Sequence, residues 1–189
     1  NRKAGKGVRG GSTLTQQVIR LSRQGKGRTY FEKIIEVILA TRLEWRCSKG
    51  EILKLYAAHA PYGGNVVGLE MASWRYFGLQ SHQLSWAETA TLAVLPNAPS
   101  LIYPGKNQQK LMTKRNTLLL KLQRKGVIDK QTYDLAIAEP LPQKPYKLPQ
   151  IAPHLLQRVA KHQEGTRVKT TIEIALQNRV NQIARYYYN

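Results

Sequence analysis

Residues 10–17, "GGSTLTQQ", place small polar side chains where a helix begins, and the following "VIRL" continues that helix. The first turn of a helix carries unpaired N–H groups and a partial positive charge, and Gly10 and Gly11 let the backbone approach a ligand closely. Further hydrogen-bonding groups come from Ser12, Thr13, Thr15, Gln16 and Gln17. The pattern predicts a site for an anion or a sugar. The alternative is that one hydroxyl merely caps the helix.

Two arginines narrow the choice between an anion and a sugar. Arg20 lies one turn past Gln16 on the same side of the helix, and Arg28 stands just before the next predicted helix. A guanidinium group presents a fork of donors that matches phosphate oxygens. The pair therefore favours a phosphate or pyrophosphate over a neutral sugar.

The next predicted helix adds an amine and a carboxylate. Lys33 and Glu36 are three residues apart and share a face, with Glu36 in the second turn beside Ile35. A carboxylate in this position could orient a sugar hydroxyl or tune a neighbouring base, which makes Glu36 the candidate catalytic residue. The alternative is a surface ion pair between Glu36 and Lys33.

The charge of the chain points to an anionic partner. Thirty Lys and Arg residues stand against eleven Asp and Glu residues, which gives a net charge of +19 over 189 residues. Such an excess fits nucleic acid, a membrane surface or a phosphorylated substrate. Residues 1–31 contain no acidic residue at all. The single cysteine, Cys47, excludes an intrachain disulfide and a cysteine-based zinc site, and the scattered histidines do not predict a metal site.

Helix-start signatures recur along the chain, each a Ser or Thr followed three residues later by Glu or Gln. They are Thr13…Gln16, Thr29…Glu32, Ser48…Glu51, Ser85…Glu88 and Thr170…Glu173. Apolar residues follow at helical spacing, as in the stripe formed by Phe31, Ile34, Ile35, Ile38 and Leu39. The predicted helices cover about 13–24, 30–46, 49–59, 68–77, 86–95, 107–125, 130–138, 153–162 and 172–186. The predicted fold class is all-α.

A proline-rich stretch, "EPLPQKPYKLPQIAP" from Glu139 to Pro153, is typical of an extended connector. It divides the chain into a first domain over 1–139, a connector over 140–169 and the start of a further linker over 170–189.

Several ordered motifs resemble glycosyltransferase family 51, the peptidoglycan glycosyltransferases of bacterial class A penicillin-binding proteins. They are "GGSTLTQQ" with Arg20, "RTYFEKIIE" (28–36), "SKGEILKLY" (48–56), "YGGNVVGLEMASWRYFG" (62–78), "LSWAETATLAVLPNAPSLIYP" (84–104) and "KRNTLLLKLQRKGVID" (114–129). The resemblance implies a lysozyme-like, mostly helical fold. It also implies polymerisation of lipid II into glycan strands, with inversion at the sugar carbon and release of undecaprenyl pyrophosphate. The segment "VKTTIEIALQNRV" (168–180) is similar to the linker that leads to a transpeptidase domain.

The resemblance assigns roles to individual residues. Ser12, Thr13, Gln16 and Gln17 match the substrate contacts of the family's second motif. Arg20 stands where a lysine usually touches the donor's phosphates, and Arg28 matches a pyrophosphate-binding arginine. Lys33 and Glu36 match the third motif, in which the glutamate is the second important carboxylate.

The chain also departs from the family pattern. The motif with the family's general base is expected upstream of Asn1, so the domain is predicted to be N-terminally incomplete. No carboxylate precedes Glu32. Ala57 and Ala58 replace the Leu-Asn pair that usually follows "KLY".

The partners implied by the resemblance are lipid II, the growing glycan strand, a membrane surface and other cell-wall synthesis proteins, but no nucleic acid. The sequence identifies no cofactor, and Mg or Mn is a candidate divalent cation. The expected location is the outer, periplasmic face of the bacterial inner membrane, with the anchor outside this chain.

Two alternatives remain open from the sequence. The net charge and "LQRKGVIDKQTYDLA" (122–136), which resembles a helix-turn-helix, are compatible with a nucleic-acid-binding module. A lysozyme-like glycan hydrolase would need a second carboxylate or a held water beside Glu36.

Overall fold

The computed structural model describes residues 12–23, 29–148, 151–162 and 168–188. These residues form nine α-helices and one small sheet, in agreement with the predicted fold class. The helices are α1 (Leu14–Ser22), α2 (Tyr30–Arg46), α3 (Lys49–His59), α4 (Leu69–Phe77), α5 (Trp86–Val94), α6 (Gln108–Arg124), α7 (Lys130–Ala138), α8 (Pro153–His162) and α9 (Ile174–Tyr188). Short 3-10 turns at Ser81–Gln83 and Leu95–Asn97 flank α5.

Four of the predicted helix starts have the capping geometry that their sequences indicate. Thr13, Ser48 and Ser85 each form a reciprocal capping box with the Gln or Glu three residues later. The Thr29 hydroxyl accepts a hydrogen bond from the backbone N–H of Glu32. These local bonds satisfy donors that would otherwise be unpaired at the first turn, which explains why the predicted boundaries are close to the observed ones.

The fifth predicted start, Thr170…Glu173, is not the beginning of α9. The helix begins at Ile174, and its first backbone bond runs from the Gln177 N–H to the Glu173 carbonyl at 2.9 Å. The preceding Thr171 and Ile172 are β-branched residues, which favour extended backbone.

A two-stranded antiparallel hairpin, absent from the sequence-based prediction, follows α3. Its strands are β1 (Pro61–Gly63) and β2 (Val66–Val67). The buried Tyr76 hydroxyl on α4 hydrogen-bonds the carbonyls of Tyr62 at 3.1 Å and Gly63 at 2.8 Å. These bonds join the hairpin to α4, and the hairpin residues Tyr62 and Val66 are themselves buried in the core.

Two clusters of buried apolar residues lie in the segment after α3, and Ala40 of α2 and Ile52 of α3 are buried outside them. One cluster of buried residues joins α4, the hairpin and neighbouring elements; it consists of Ala60, Tyr62, Val66, Ala72, Tyr76, Leu92, Leu95, Ile102 and Leu111. A second joins α5, α6 and α7 and consists of Ala87, Ala90, Leu119, Ile128 and Ala136. Neither cluster includes a residue of α1 or α2, so these two helices are held by other contacts.

Helix α2 buries a face different from its apolar stripe. Glu36 and Ala40 are its buried residues, whereas Phe31, Ile34 and Ile38 are 72%, 57% and 61% exposed. Residues four apart lie on one side of a helix, so Glu36 and Ala40 define the side that packs inward. The stripe predicted from the sequence is instead largely exposed in this chain.

A buried arginine connects α6 to the end of α7. Arg115 is 1% exposed and donates from Nη1 to the Glu139 carbonyl at 2.6 Å and from Nη2 to the Ile137 carbonyl at 3.2 Å. The Glu139 carboxylate accepts a hydrogen bond from Ser85 at the start of α5. Burial lowers the pKa of Arg115 from its ordinary value. These bonds satisfy carbonyls that have no partner within α7.

The chain divides into two compact units, residues 1–146 and 147–189. The proline-rich residues up to Tyr146 belong to the first unit: the Gln108 amide donates to the Pro142 carbonyl at 2.8 Å, and the Tyr146 N–H donates to the Arg75 carbonyl at 2.7 Å. Within the second unit, Asn181 of α9 donates to the Ile151 carbonyl at 2.8 Å. In the described part of the chain, no helix is both long and apolar enough to span a membrane.

Gly63 provides a test of the hairpin. It has φ of +90°, and a Cβ there would lie 2.6 Å from the Tyr103 Cβ and 2.9 Å from the Pro99 carbonyl oxygen. We expect Gly63→Ala to lower the free energy of unfolding by about 2–4 kcal/mol, because backbone strain and overlap act together. Gly126→Ala is the matched control, since φ is +69° but no atom of the described residues lies within 4 Å of a Cβ placed there; it should cost about 1 kcal/mol. Both variants are measured by urea denaturation. If Gly63→Ala and Gly126→Ala lose the same free energy of unfolding, the close packing at Gly63 is contradicted.

Candidate active site

Most polar side chains at the start of α1 are bonded within the protein. Gln16 completes the capping box by accepting a hydrogen bond from the Thr13 N–H at 3.2 Å. The Gln17 amide donates to the Ser12 carbonyl at 3.5 Å. Thr15 is buried, and its hydroxyl donates to a carboxylate oxygen of Glu44 on α2. These bonds make the side chains part of the local scaffold, and their predicted role in substrate contact stays a prediction.

The central feature of the site is a two-pronged ion pair between α1 and α2. Arg20 donates from Nε to Oε1 of Glu36 and from Nη2 to Oε2 of Glu36, both at 2.9 Å. The same Nη2 also donates to the Ser12 hydroxyl at 3.2 Å. Three of the predicted site residues are therefore brought together. This arrangement replaces the surface pair between Glu36 and Lys33 that was the alternative at the sequence level.

The pair is asymmetric in its exposure to solvent. The side chain of Glu36 is 11% exposed and that of Arg20 is 42% exposed. The hydrogen bonds from Arg20 lower the pKa of Glu36 against the opposing effect of burial, and they raise the pKa of Arg20. Both groups are therefore charged at neutral pH. The carboxylate lies inside, and the guanidinium is the part that a ligand can reach.

Two further polar contacts connect the same helices. Arg23 forms an ion pair with Glu32, and Thr15 bonds to Glu44 at the opposite end of α1. Together with the Arg20–Glu36 pair, these contacts run along an antiparallel arrangement of α1 and α2. The sequence analysis did not identify this pairing. A usable signal was present, because Glu32, Glu36 and Glu44 are spaced by multiples of four on one side of α2.

Lys33, a further predicted basic residue, forms no hydrogen bond or ion pair with this cluster among the described residues. Lys33 is exposed on α2 and lies among Tyr30, Ile34, Val37 and Ile38, around a shallow depression in the apolar stripe. Its charge nevertheless contributes to the lowered pKa of Glu36. Arg28 lies outside the described residues, as do Gly10 and Gly11.

Residues 1–123 match a family described as Transglycosylase. The chain belongs to the transglycosylase family. It is 36% identical to penicillin-binding protein 1C of Escherichia coli K12 over 182 residues. The alignment covers 96% of this chain and 24% of the Escherichia coli protein. The chain is also 33% identical to penicillin-binding protein 1A of Pseudomonas aeruginosa over 195 residues. That alignment covers 97% of this chain and 24% of the Pseudomonas protein. A putative transglycosylase of Cupriavidus necator is 38% identical to this chain over 132 residues. That alignment covers 70% of this chain and 57% of the Cupriavidus protein.

These matches confirm the predicted family and extend through α1, α2 and the core helices. They do not favour a nucleic-acid-binding module or a hydrolase over a transglycosylase. The chain spans about a quarter of the length of the two penicillin-binding proteins. The Arg20–Glu36 pair lies within the region that the transglycosylase family covers.

The lowered pKa of Glu36 can be tested by a titration of its carboxyl carbon by NMR. We expect an apparent pKa below the ordinary 4.5 in the wild-type chain. Arg20→Gln should raise it, because the main stabilising hydrogen bonds are lost while burial remains. Arg23→Gln should raise it much less, since Arg23 acts on Glu36 only through charge.

The same shift determines a pH dependence of stability. Because the folded pKa lies below the unfolded one, the contribution of the pair is present above the unfolded pKa and is lost as pH falls through the folded pKa. An acid unfolding curve unchanged by Arg20→Gln would contradict this.

Proposed function

We propose that this chain is part of a peptidoglycan glycosyltransferase that polymerises lipid II into glycan strands and releases undecaprenyl pyrophosphate. The main support is the oriented guanidinium of Arg20 in the last turn of α1, within a chain of the transglycosylase family. Its proposed location is the outer face of the bacterial inner membrane. The growing glycan strand is the second substrate.

The proposed reaction separates charge at the donor sugar. The 4-hydroxyl oxygen of the acceptor attacks C1 of the donor, the bond from C1 to the diphosphate oxygen breaks, and the acceptor proton passes to a base. Negative charge then develops on the departing diphosphate. Fixed positive charge at that point lowers the barrier because it requires no reorganisation during the reaction. Arg20 is the described residue best arranged to supply it, and Lys33 and Arg28 are proposed to add to it.

A divalent cation is not readily accommodated by the described side chains. No group of three or more His, Cys, Asp or Glu residues in the described segments is arranged to hold a metal ion. Both oxygens of Glu36 already accept hydrogen bonds from Arg20. We therefore propose that the protein's contribution at the diphosphate is cationic side chains, and that any Mg or Mn ion arrives with the substrate.

The exposed stripe of α2 is proposed to contact the surface of an anionic membrane. In the structure its exposed residues are Tyr30, Phe31, Ile34, Val37 and Ile38, which are between 43% and 92% exposed. Ile35 and Leu39, which the sequence also placed in the stripe, are half-buried. The chain carries a net charge of +19, which complements anionic headgroups. A lipid-linked substrate would be met at such a surface. The stripe and Glu36, the partner of Arg20, lie on the same helix, so contact with the membrane would bring the site close to the headgroups.

Substitution of Arg20 tests the catalytic proposal. In the intact protein, Arg20→Ala should lower the rate of glycan polymerisation from lipid II by roughly a hundredfold, because stabilisation of the leaving group is lost. Arg185→Ala, which removes the same charge from α9, should leave the rate within about twofold. The measurement is gel analysis of glycan strands over time. Equal rates for Arg20→Ala and the wild type would refute the assignment.

Substitution of the stripe tests the membrane proposal. The double variant Ile34→Ser and Ile38→Ser should weaken binding to phosphatidylglycerol vesicles by roughly tenfold, because two exposed apolar side chains are lost. Leu135→Ser, at a residue of α7 that is 68% exposed, serves as the control and should bind as the wild type does. If the double variant sediments with vesicles as the wild type does, the proposed contact between the stripe and the membrane is refuted.

A further inference from the structure

We propose that Glu36 is a positioning residue, which fixes the guanidinium of Arg20 for a diphosphate. This inference rests on the proposed function and refines the role of one of its residues. Sequence resemblance gives Glu36 the standing of a second important carboxylate but does not say how it acts.

The hydrogen bonds leave one edge of the guanidinium available. Glu36 takes the Nε–H and one N–H of Nη2, and Ser12 takes a further bond from Nη2. Among the described residues, Nη1 of Arg20 has no hydrogen-bond partner. A guanidinium held at three points keeps little rotational freedom. Its two Nη1 hydrogens are therefore presented in a fixed direction, which suits an oxygen of a phosphate group.

Electrostatic attraction to the ligand does not explain why a carboxylate lies at position 36. An anionic side chain beside an anion-binding site repels the ligand, so Glu36 weakens binding unless it provides something else. Glu36 is the buried member of the pair and Arg20 the exposed one. Orientation is the benefit that this geometry offers, because an arginine ordered before binding loses less entropy when the ligand arrives.

The same bonds make Glu36 a poor proton acceptor. Each of its oxygens already accepts an N–H from Arg20. These hydrogen bonds lower the pKa of Glu36, and a base with a low pKa removes a proton from a sugar hydroxyl less readily. A proton transferred to Glu36 would also break the ion pair that holds Arg20. Proton removal from the acceptor hydroxyl therefore falls to another group.

An arginine at position 20 is essential to this arrangement. A lysine has one ammonium group, so a carboxylate that held it would take up the same centre that must meet the phosphate. An arginine can be held through Nε and Nη2 while Nη1 faces outward. The role of Glu36 is therefore linked to the presence of Arg20, and the two residues should be coupled in function.

The experiment measures the affinity of the 189-residue chain for inorganic pyrophosphate by titration calorimetry, with EDTA present. Glu36→Gln removes a negative charge, and by charge alone it would bind pyrophosphate more tightly. The positioning role predicts the opposite, a loss of roughly tenfold, because a Gln amide cannot accept both N–H groups of the fork. Glu32→Gln is the matched control, since Glu32 also pairs with an arginine, Arg23, which caps the C-terminal end of α1. It should change the affinity by less than about twofold.

A second comparison distinguishes the positioning role from a loss of folding. It sets the Arg20→Lys variant against the double variant that also carries Glu36→Gln. In the Arg20→Lys background, Glu36→Gln should no longer weaken pyrophosphate binding and should strengthen it, because only repulsion remains to be removed. Tighter binding by the single variant Glu36→Gln would overturn the positioning role and leave the proposed function intact. If Glu32→Gln loses as much affinity for pyrophosphate as Glu36→Gln does, then Glu36 acts only by packing α1 against α2, and the positioning role is overturned. Failure of the wild-type chain to bind pyrophosphate would instead remove the diphosphate site itself.

Discussion

The ion pair between Arg20 and Glu36 is the contact on which the candidate site depends. Helix α1 carries the polar motif but contributes no residue to either apolar cluster. It is attached to α2 through this pair, through Arg23 with Glu32, and through Thr15 with Glu44. Polar contacts have directional requirements that apolar packing lacks, so they set the orientation of α1 as well as its position. The helix that presents the motif is therefore aligned by the charges that form the site.

These polar contacts explain why α2 buries a face other than its apolar stripe. A helix normally turns its apolar stripe to the core, but α2 turns Glu36 and Ala40 inward and leaves Phe31 and Ile38 exposed. One helix thus carries two surfaces with different roles, a carboxylate face that organises α1 and an apolar face available to a second environment. For a lipid-linked diphosphate, the proposed substrate, a charged site beside an apolar surface matches the two halves of the molecule.

The sequence predicted the features that short-range chemistry determines. The capping residues Thr13, Ser48 and Ser85 fixed helix starts because each bond joins residues three apart. The partner of Glu36 could not be predicted in this way, since Lys33 on the same helix and Arg20 on another are both chemically suitable. The choice depends on how α1 packs against α2, a long-range property. Thr15 shows the same limit, because its spacing indicated a ligand contact whereas the fold buries it against Glu44.

Burial of Glu36 has an energetic cost that its hydrogen bonds must offset. An ion pair of this kind loses hydration, and its net contribution to stability is commonly small even when its geometry is good. Replacement by apolar residues of similar size is often tolerated in such cases, so stability alone does not account for a buried carboxylate here. An apolar residue at position 36 could pack against α1 but could not fix the plane of the Arg20 guanidinium. Control of that plane is the property that only a paired carboxylate supplies, and it is the property that a site for a departing diphosphate requires.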